Sequence, residues 1–558
     1  MVSSDRINGE PSFPSAAHTL PARLRRRQVL WRLAGPPRYA AATRAGLALG
    51  IPAMLAYALG FRHEALIVAL GTFAAFYGEG RPYRMRGRLI ATVGLVLIGV
   101  VALGAVTARV LPVGSPSGRI LEITVLAAVA GVSTYVADAV GLPPPGSYFI
   151  VLGCGAALVM SSGGMPVRSI VPATAAGVLS SVIVGLVPAL IDRRKPERSA
   201  VGAAARAVAA YQAAGAGRPH PVTERRAAAE AIWAAWAAVH DAGLSAKSAL
   251  VVQLMVAHRD FTHTTDRTGA GPDQRVMADP GHLPMARPTL RQRLRWSWAP
   301  ASHATVTAVR VTVAAVAAAT IATLLGLGRP DWALLAATLV LNMGPDRPRG
   351  VVRALQRFGG TALGLVLLGG LEWLSPSGVA LILVLVTLQF LVELFVAGNY
   401  GLAVVFITPL ALLLGGPGAH SSVPRLLGER MAETTIGVVT AVVVLWVVLP
   451  HAHRATLALI QRRVADTTAE LLAALRADPA SNDTWALRRL LRFELAGLAR
   501  SSVTAAHDDR DWARANGDTA AALEHVGFGV LAECWSIPDG GQLPNPQRWE
   551  RALRAAVE

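Results

Sequence analysis

Apolar runs long enough to cross a lipid bilayer recur along this chain, and they fix its fold class before any motif does. A hydrocarbon core about 30 Å thick takes about 20 apolar residues in a helix. Such runs extend from Tyr39 to Ala69, Leu89 to Val110, Ile120 to Val140 and Ile170 to Ile191, then stop. They resume from Ala304 to Leu327, Trp332 to Met343, Phe358 to Leu374, Val379 to Val396, Leu402 to Leu414 and Ile436 to Leu449. With 53% apolar and only 16% charged residues among 558, the chain is too apolar for an ordinary soluble surface. Counting shorter stretches gives six spans per half and about twelve in all.

The net charge of +18 raises the question of nucleic acid, and the placement of the arginines answers it. Arg23 to Arg27 precede the first span; Arg81, Arg84, Arg86 and Arg88 follow the second; Arg193, Arg194 and Lys195 follow the sixth. Arg291, Arg293 and Arg295, then Arg347, Arg349, Arg353 and Arg357, then Arg454, Arg462 and Arg463 repeat the arrangement in the second half. Basic residues concentrate in cytoplasmic loops, so these clusters set a multi-pass inner-membrane topology with both termini cytoplasmic. The loops Leu111 to Gly118 and Gly415 to Pro424 on the other side are nearly free of basic residues. No nucleic-acid motif accompanies the charge, so nucleic acid is not expected as a partner. The segment to Arg38 is polar and Arg-rich, without the short apolar core and cleavage site of a removable signal.

Landmarks recur in the same order in both halves. Arg44 to Gly60 corresponds to Arg310 to Gly326, Arg81-Pro82 to Arg347-Pro348, Gly146-Ser147-Tyr148 to Gly398-Asn399-Tyr400, and Thr174-x-x-Gly177 to Thr434-x-x-Gly437. An even number of spans per half gives both copies one orientation. The expected architecture is thus an all-α polytopic membrane protein with two parallel six-helix transmembrane repeats, each followed by a helical cytoplasmic domain. Residues 1–38 form a cytoplasmic N-terminal segment and 39–191 the first transmembrane domain. Residues 192–300 form a helical domain and linker, 301–450 the second transmembrane domain, and 451–558 a C-terminal helical domain. Apolar positions Ile232, Trp233, Trp236 and Val239, and Leu457, Ile460, Val464, Leu471 and Leu475, carry the helical period of the two soluble segments. Asp266 to Pro288 is rich in Gly, Pro and Asp and reads as a linker.

The second half has a recognisable order: Asp331-Trp332, Pro345-Asp346-Arg347, Arg353-Ala354-Leu355-Gln356-Arg357, Gly360-Thr361, Asn399-Tyr400, Thr408-Pro409 and Arg430-x-x-Glu433-x-x-x-Gly437. From Ala304 to Pro450 it resembles the fusaric-acid-resistance (FUSC) family, which includes aromatic acid exporters. That family usually carries Asp where this chain has Glu433. The resemblance implies a membrane protein that exports aromatic or related organic acids.

Ionisable residues inside spans are expensive and therefore candidates for function. Arg430 and Glu433, three apart, share a helical face and suit either a structural salt bridge or substrate and proton coupling. Asn399, Tyr400, Thr408 and Pro409 lie in a short, proline-interrupted segment whose first-half counterpart carries Tyr148. Paired broken segments of this kind offer unwound backbone to a ligand. An aromatic anion finds a ring in Tyr400 and hydrogen bonds in Asn399 and Thr408, whereas a helix cap at Asn399 and a packing kink at Pro409 explain the same residues. Asp346 and Arg347 suit a charged gate or a helix-ending turn. Arg44 and Arg310 suit a gate or snorkel to the nearer face.

No nucleotide-binding loop, hydrolase motif or metal-ligand spacing appears, and Cys154 and Cys534 are far apart. No enzyme, metal or cofactor is expected. The partners are the bilayer and a small organic anion, with homo-oligomerisation left open. An exporter competes with a passive anion channel and with a non-transporting membrane scaffold.

Overall fold

A computed structural model describes residues 13, 21, 38–62, 64–110, 115–143, 145–217, 222–265, 288–342, 344–414, 423–536 and 542–558. The Arg23–Arg27 cluster and most of the Asp266–Pro288 and Gly415–Pro424 segments lie outside them. Every described regular element is a helix. The principal ones, in chain order, are α1 (Tyr39–Ala58), α2 (Glu64–Thr72, continued by the 3-10 turn Phe73–Phe76), α3 (Tyr83–Val110), α4 (Pro116–Ala139), α5 (Tyr148–Ser162) and α6 (Val167–Leu186). Next come α7 (Lys195–Gly217), α8 (Val222–Ala242), α9 (Ala249–Thr265), α10 (His303–Leu324), α11 (Pro330–Leu341), α12 (Arg347–Leu374) and α13 (Val379–Val396). The last are α14 (Tyr400–Leu414), α15 (Val423–Val447), α16 (Ala452–Ala477), α17 (Asn482–Asp508), α18 (Asp518–Ser536) and α19 (Pro546–Val557).

The chain forms two compact units. One joins the stretch ending at Arg193 to Arg293–Pro450; the other contains Arg194–Gln292 and His451–Glu558. In the first unit α3, α4, α10, α12, α13, α15 and α6 with its extension to Ile191 are long and apolar enough to cross a membrane. The expectation of twelve spans is thus carried by length in seven cases. Four more apolar helices are shorter: α2 with its 3-10 turn, α5, α11 and α14. A helix of 15 residues rises only about 22 Å, less than a bilayer's apolar core.

Burial separates the long helices from the short ones. Long helices expose Leu95, Ile183, Val366 and Val443 on their outer faces, where lipid is the compatible solvent. In α11 every residue from Asp331 to Leu341 is buried, and α5 buries all but a few of its side chains. The short helices are therefore the inner layer.

Packing repeats between the halves. In the first, α2 packs on α6, and α3 on α5 and α6; in the second, α11 packs on α15, and α12 on α14 and α15. Crossing contacts are reciprocal: α1 lies on α13 and α10 on α4, while α2 meets α14 and α11 meets α5. The Thr-x-x-Gly landmarks make close approaches between helices. A Cβ on Gly177 would stand 2.0 Å from the Val68 carbonyl oxygen, and one on Gly437 2.3 Å from that of Ala333. Gln389 ties α13 across the halves, its Nε2 donating to the Ala45 carbonyl at 3.0 Å and to Thr72 Oγ1 at 3.1 Å.

The second unit packs α7, α8 and α9 with α16 to α19 around Trp236, Leu254, Leu471, Leu495 and Val526. Glu524, buried among them, takes Arg225 at 3.0 Å and Arg226 at 2.6 Å. Although burial pushes the Glu524 carboxyl up, these two guanidinium groups hold it below the ordinary carboxylate range.

Candidate functional site

Three groups of polar side chains occupy the membrane unit, and α11 orders two of them. At its N-terminus, Arg329 pairs with Asp331 through Nε and Nη2 at 3.0 and 2.8 Å. Arg430 of α15 donates to Glu433 at 2.6 Å, and the other Glu433 oxygen accepts the Arg329 backbone N–H at 2.9 Å. Both guanidinium groups lie on the Trp332 ring, Arg430 at 4.9 Å and Arg329 at 5.8 Å from its centre. The i, i+3 spacing of Arg430 and Glu433 thus produces the pair it suggests, within a four-membered network that the sequence spacing alone does not show.

The second group gathers at the other end of α11, about 18 Å of helix away. Tyr148 begins α5 and Tyr400 begins α14, and both hydroxyls lie within electrostatic reach of the Arg357 guanidinium. Arg357 is 2% exposed and sits ten residues inside α12. Its Nε and Nη1 and the Thr361 hydroxyl one turn further along α12 are buried without a close hydrogen bond among the described residues, and the Tyr148 and Tyr400 hydroxyls reach only this guanidinium. Asn342 joins them from the end of α11. Its Nδ2 reaches the Pro145 carbonyl at 3.5 Å, the oxygen that also accepts the Tyr148 N–H, while its Oδ1 has no partner.

An unpaired guanidinium inside a membrane helix costs several kcal/mol, roughly, unless a ligand or another charge answers it. Arginines nearby are answered. Arg353 caps the end of α11, donating to the carbonyls of Val340 at 3.0 Å and Gly344 at 3.2 Å. Arg310 donates to Val448, Pro345 and Leu449 carbonyls at 3.0, 3.0 and 2.9 Å. Arg347 donates to the Pro450 carbonyl and covers the Trp446 ring at 4.9 Å. Arg357 is the exception in this series. With two tyrosine hydroxyls and Thr361 it offers a charge-assisted donor set to one small anion, and Phe149 stacks against Phe73 at 4.4 Å next to Tyr148.

The third group lies where α3 begins. Arg44 donates to Glu79 at 2.5 Å, Arg86 pairs with the same oxygen, and Arg38 meets Glu393 of α13 at 3.4 Å. Burial pushes the Glu79 carboxyl up, but Arg86 and Arg44 outweigh it and leave it below the ordinary range.

The remaining candidates have local work. Asn399 caps α14, its Oδ1 accepting the Leu402 N–H at 3.2 Å, and Thr408 donates to the Val404 carbonyl at 2.9 Å. Pro409 lies inside α14. Asp346 caps α12 by accepting the Arg349 N–H at 3.1 Å and also meets the Arg349 guanidinium at 3.6 Å. The structure brings Tyr148 and Tyr400 together and leaves Arg430 and Glu433 in a separate cluster. In sequence Arg357 is only one of a basic cluster, and its signal is the i, i+4 series Arg353, Arg357, Thr361, which puts all three on one face of α12.

Residues 316–444 match the family model described as fusaric acid resistance protein-like. Over that stretch the second half of the membrane unit is similar to fusaric acid resistance proteins. A stretch of 179 residues is 30% identical to the uncharacterized membrane protein YvaC of Bacillus subtilis (strain 168), covering 31% of this chain and 27% of that protein. The chain therefore spans about a quarter of that relative's length. No solved structure matches. The fusaric-acid-resistance stretch includes Arg357, Tyr400, Arg430 and Glu433, whereas Tyr148 comes from the half outside the match. A multi-pass membrane protein agrees with the family match, the relative's description and the seven long apolar helices.

Proposed function

We propose that this chain is a transporter that exports small organic anions, aromatic carboxylates foremost, across the inner membrane. One observation carries the reading: the buried Arg357 guanidinium has no carboxylate partner among the described residues and faces Tyr148 and Tyr400 where two short inner helices begin. Helices that start inside the membrane direct their positive ends at an anion, and the tyrosine rings give an aromatic substrate its apolar walls.

In this reading the four short helices and α1 complete twelve spans in two parallel six-helix repeats. The matching contacts within the halves and the reciprocal contacts between them support a duplication. The basic clusters orient both termini and both soluble helical segments to the cytoplasm. Arg347, Arg353 and Arg357 then form a positive series from that face towards the middle of α12. Glu433 is the carboxylate through which export draws on the proton gradient, since a proton on it releases Arg430 and the Arg329 N–H together.

Flux of labelled carboxylates from proteoliposomes, measured over a concentration series with neutral esters as controls, tests this function. Saturable flux of the acids and none of the esters supports a carrier. Currents that follow the anion's Nernst potential without saturation or proton movement identify a passive channel instead.

A further inference from the structure

The second unit contains another pair of arginines without carboxylate partners among the described residues. On α17, Arg488 and Arg492 stand one helical turn apart on one face. Arg488 covers the Trp485 ring at 4.5 Å, donates weakly to the Cys534 carbonyl at 3.4 Å, and keeps a buried Nε without a partner. Arg492 covers the Trp233 ring at 4.4 Å. Trp535 of α18 completes the group, its ring 6.5 Å from Trp485 and 4.2 Å from His258. Below it, His258 accepts the Trp236 indole N–H at 3.0 Å through Nδ1.

Charge makes this group unusual within its own unit. Arg225 and Arg226 share Glu524, yet among the described residues no ion pair answers Arg488 or Arg492. Burial alone pushes Arg492 down to about 9, and burial with the Arg492 charge holds His258 well below its ordinary value. Like charges at i, i+4 destabilise a helix, and stacking on Trp485 and Trp233 offsets that repulsion without neutralising either charge. A bound anion supplies the neutralising charge.

The geometry also selects the anion. A guanidinium held over an indole still has N–H groups to offer oxygen acceptors. The two arginines are one turn apart along α17, with Cβ atoms about 5–6 Å from each other. Trp233, Trp485, Trp535 and both arginines are only partly buried, so the patch is open to a ligand. We propose that Arg488 and Arg492 form a binding site for an aromatic carboxylate, whose ring packs against Trp485 and Trp535. It is a site additional to transport in the membrane unit, and it gives the second unit a means of sensing the class of molecule carried.

Benzoate binding to the full-length detergent-solubilised protein, followed by tryptophan fluorescence and calorimetry, tests the site. All variants carry Arg357→Gln, so that the membrane site and this one are read separately. Saturable benzoate binding is expected to persist in Arg357→Gln, to weaken about tenfold or more on adding Arg488→Gln or Arg492→Gln, and to be absent with methyl benzoate. Without benzoate, Arg492→Gln is expected to melt no lower than its parent, because it removes a partly buried charge that no carboxylate answers among the described residues. Unchanged affinity in both arginine variants, no saturable binding to the Arg357→Gln protein, or a lower melting temperature for Arg492→Gln without ligand would overturn the proposal.

Discussion

Tyr148 and Tyr400 occupy corresponding places in the two halves of the membrane unit, each as the first residue of a fifteen-residue helix, and both face Arg357. One half supplies a tyrosine; the other supplies a tyrosine and the charge. The unit is thus similar in packing and asymmetric in chemistry, which suits a site that holds one anion at a time.

The Tyr148 and Tyr400 hydroxyls lie beside the Arg357 guanidinium and reach no other partner among the described residues, so replacing either by phenylalanine removes little that the fold uses. Tyr148→Phe and Tyr400→Phe are expected to melt at or above the wild-type temperature. Each is expected to raise the KM for a transported carboxylate about tenfold, the worth of a hydrogen bond to a charged group. Melting curves and flux measured on the same preparations check both halves of this expectation.

Arg310 has the opposite character. Its three donors hold the carbonyls of Val448, Pro345 and Leu449, and Leu449 has the left-handed φ of 52°. Arg310→Gln leaves buried carbonyls unsatisfied and should destabilise the membrane unit by about 3–5 kcal/mol. A lowered melting temperature, with normal KM in whatever fraction remains folded, is the expected signature.

Gly177 and Gly437 are constrained alike. An added Cβ stands 2.0 Å from the Val68 oxygen in one case and 2.3 Å from the Ala333 oxygen in the other. Gly177→Ala and Gly437→Ala must therefore separate α2 from α6 and α11 from α15. Each is expected to cost about 1–3 kcal/mol or more, read as a fall in melting temperature.

These relationships also show what could be read in one dimension. The apolar runs and the basic clusters identify a multi-pass membrane protein because bilayer thickness and charge placement act directly on sequence. Thr174-x-x-Gly177 and Thr434-x-x-Gly437 stand out as landmarks because a close helix approach admits only glycine. Arg430 and Glu433 pair as their spacing suggests. Arg357 is hidden for a different reason: Arg347, Arg353 and Arg357 look alike in a basic cluster, and only packing decides that two of them reach backbone carbonyls while the third turns to Tyr148 and Tyr400. The network through Arg329, Asp331 and Trp332 depends on α11 meeting α15, which no local period encodes.

Glu494 of the second unit gives a pH test. It is 3% exposed, and burial raises its carboxyl to about 7 from 4.5 despite Arg463 and Arg500. Above pH 4.5 the unfolded chain releases this proton while the folded chain keeps it until about pH 7. Stability from this group therefore falls as pH rises through that window, by about 3 kcal/mol at most, and stays reduced above it. Glu494→Gln is expected to raise the melting temperature of the second unit's transition at pH 8 and to change it little at pH 5.

Labelled benzoate efflux from proteoliposomes, with and without an imposed pH gradient, comparing wild type with Arg357→Gln and Arg357→Lys, addresses the central assignment directly. Gradient-driven efflux by wild type, its loss by about tenfold to a hundredfold in folded Arg357→Gln, and partial recovery in Arg357→Lys are expected. Equal efflux from wild type and folded Arg357→Gln would contradict the assignment of Arg357 as the residue that holds the transported anion.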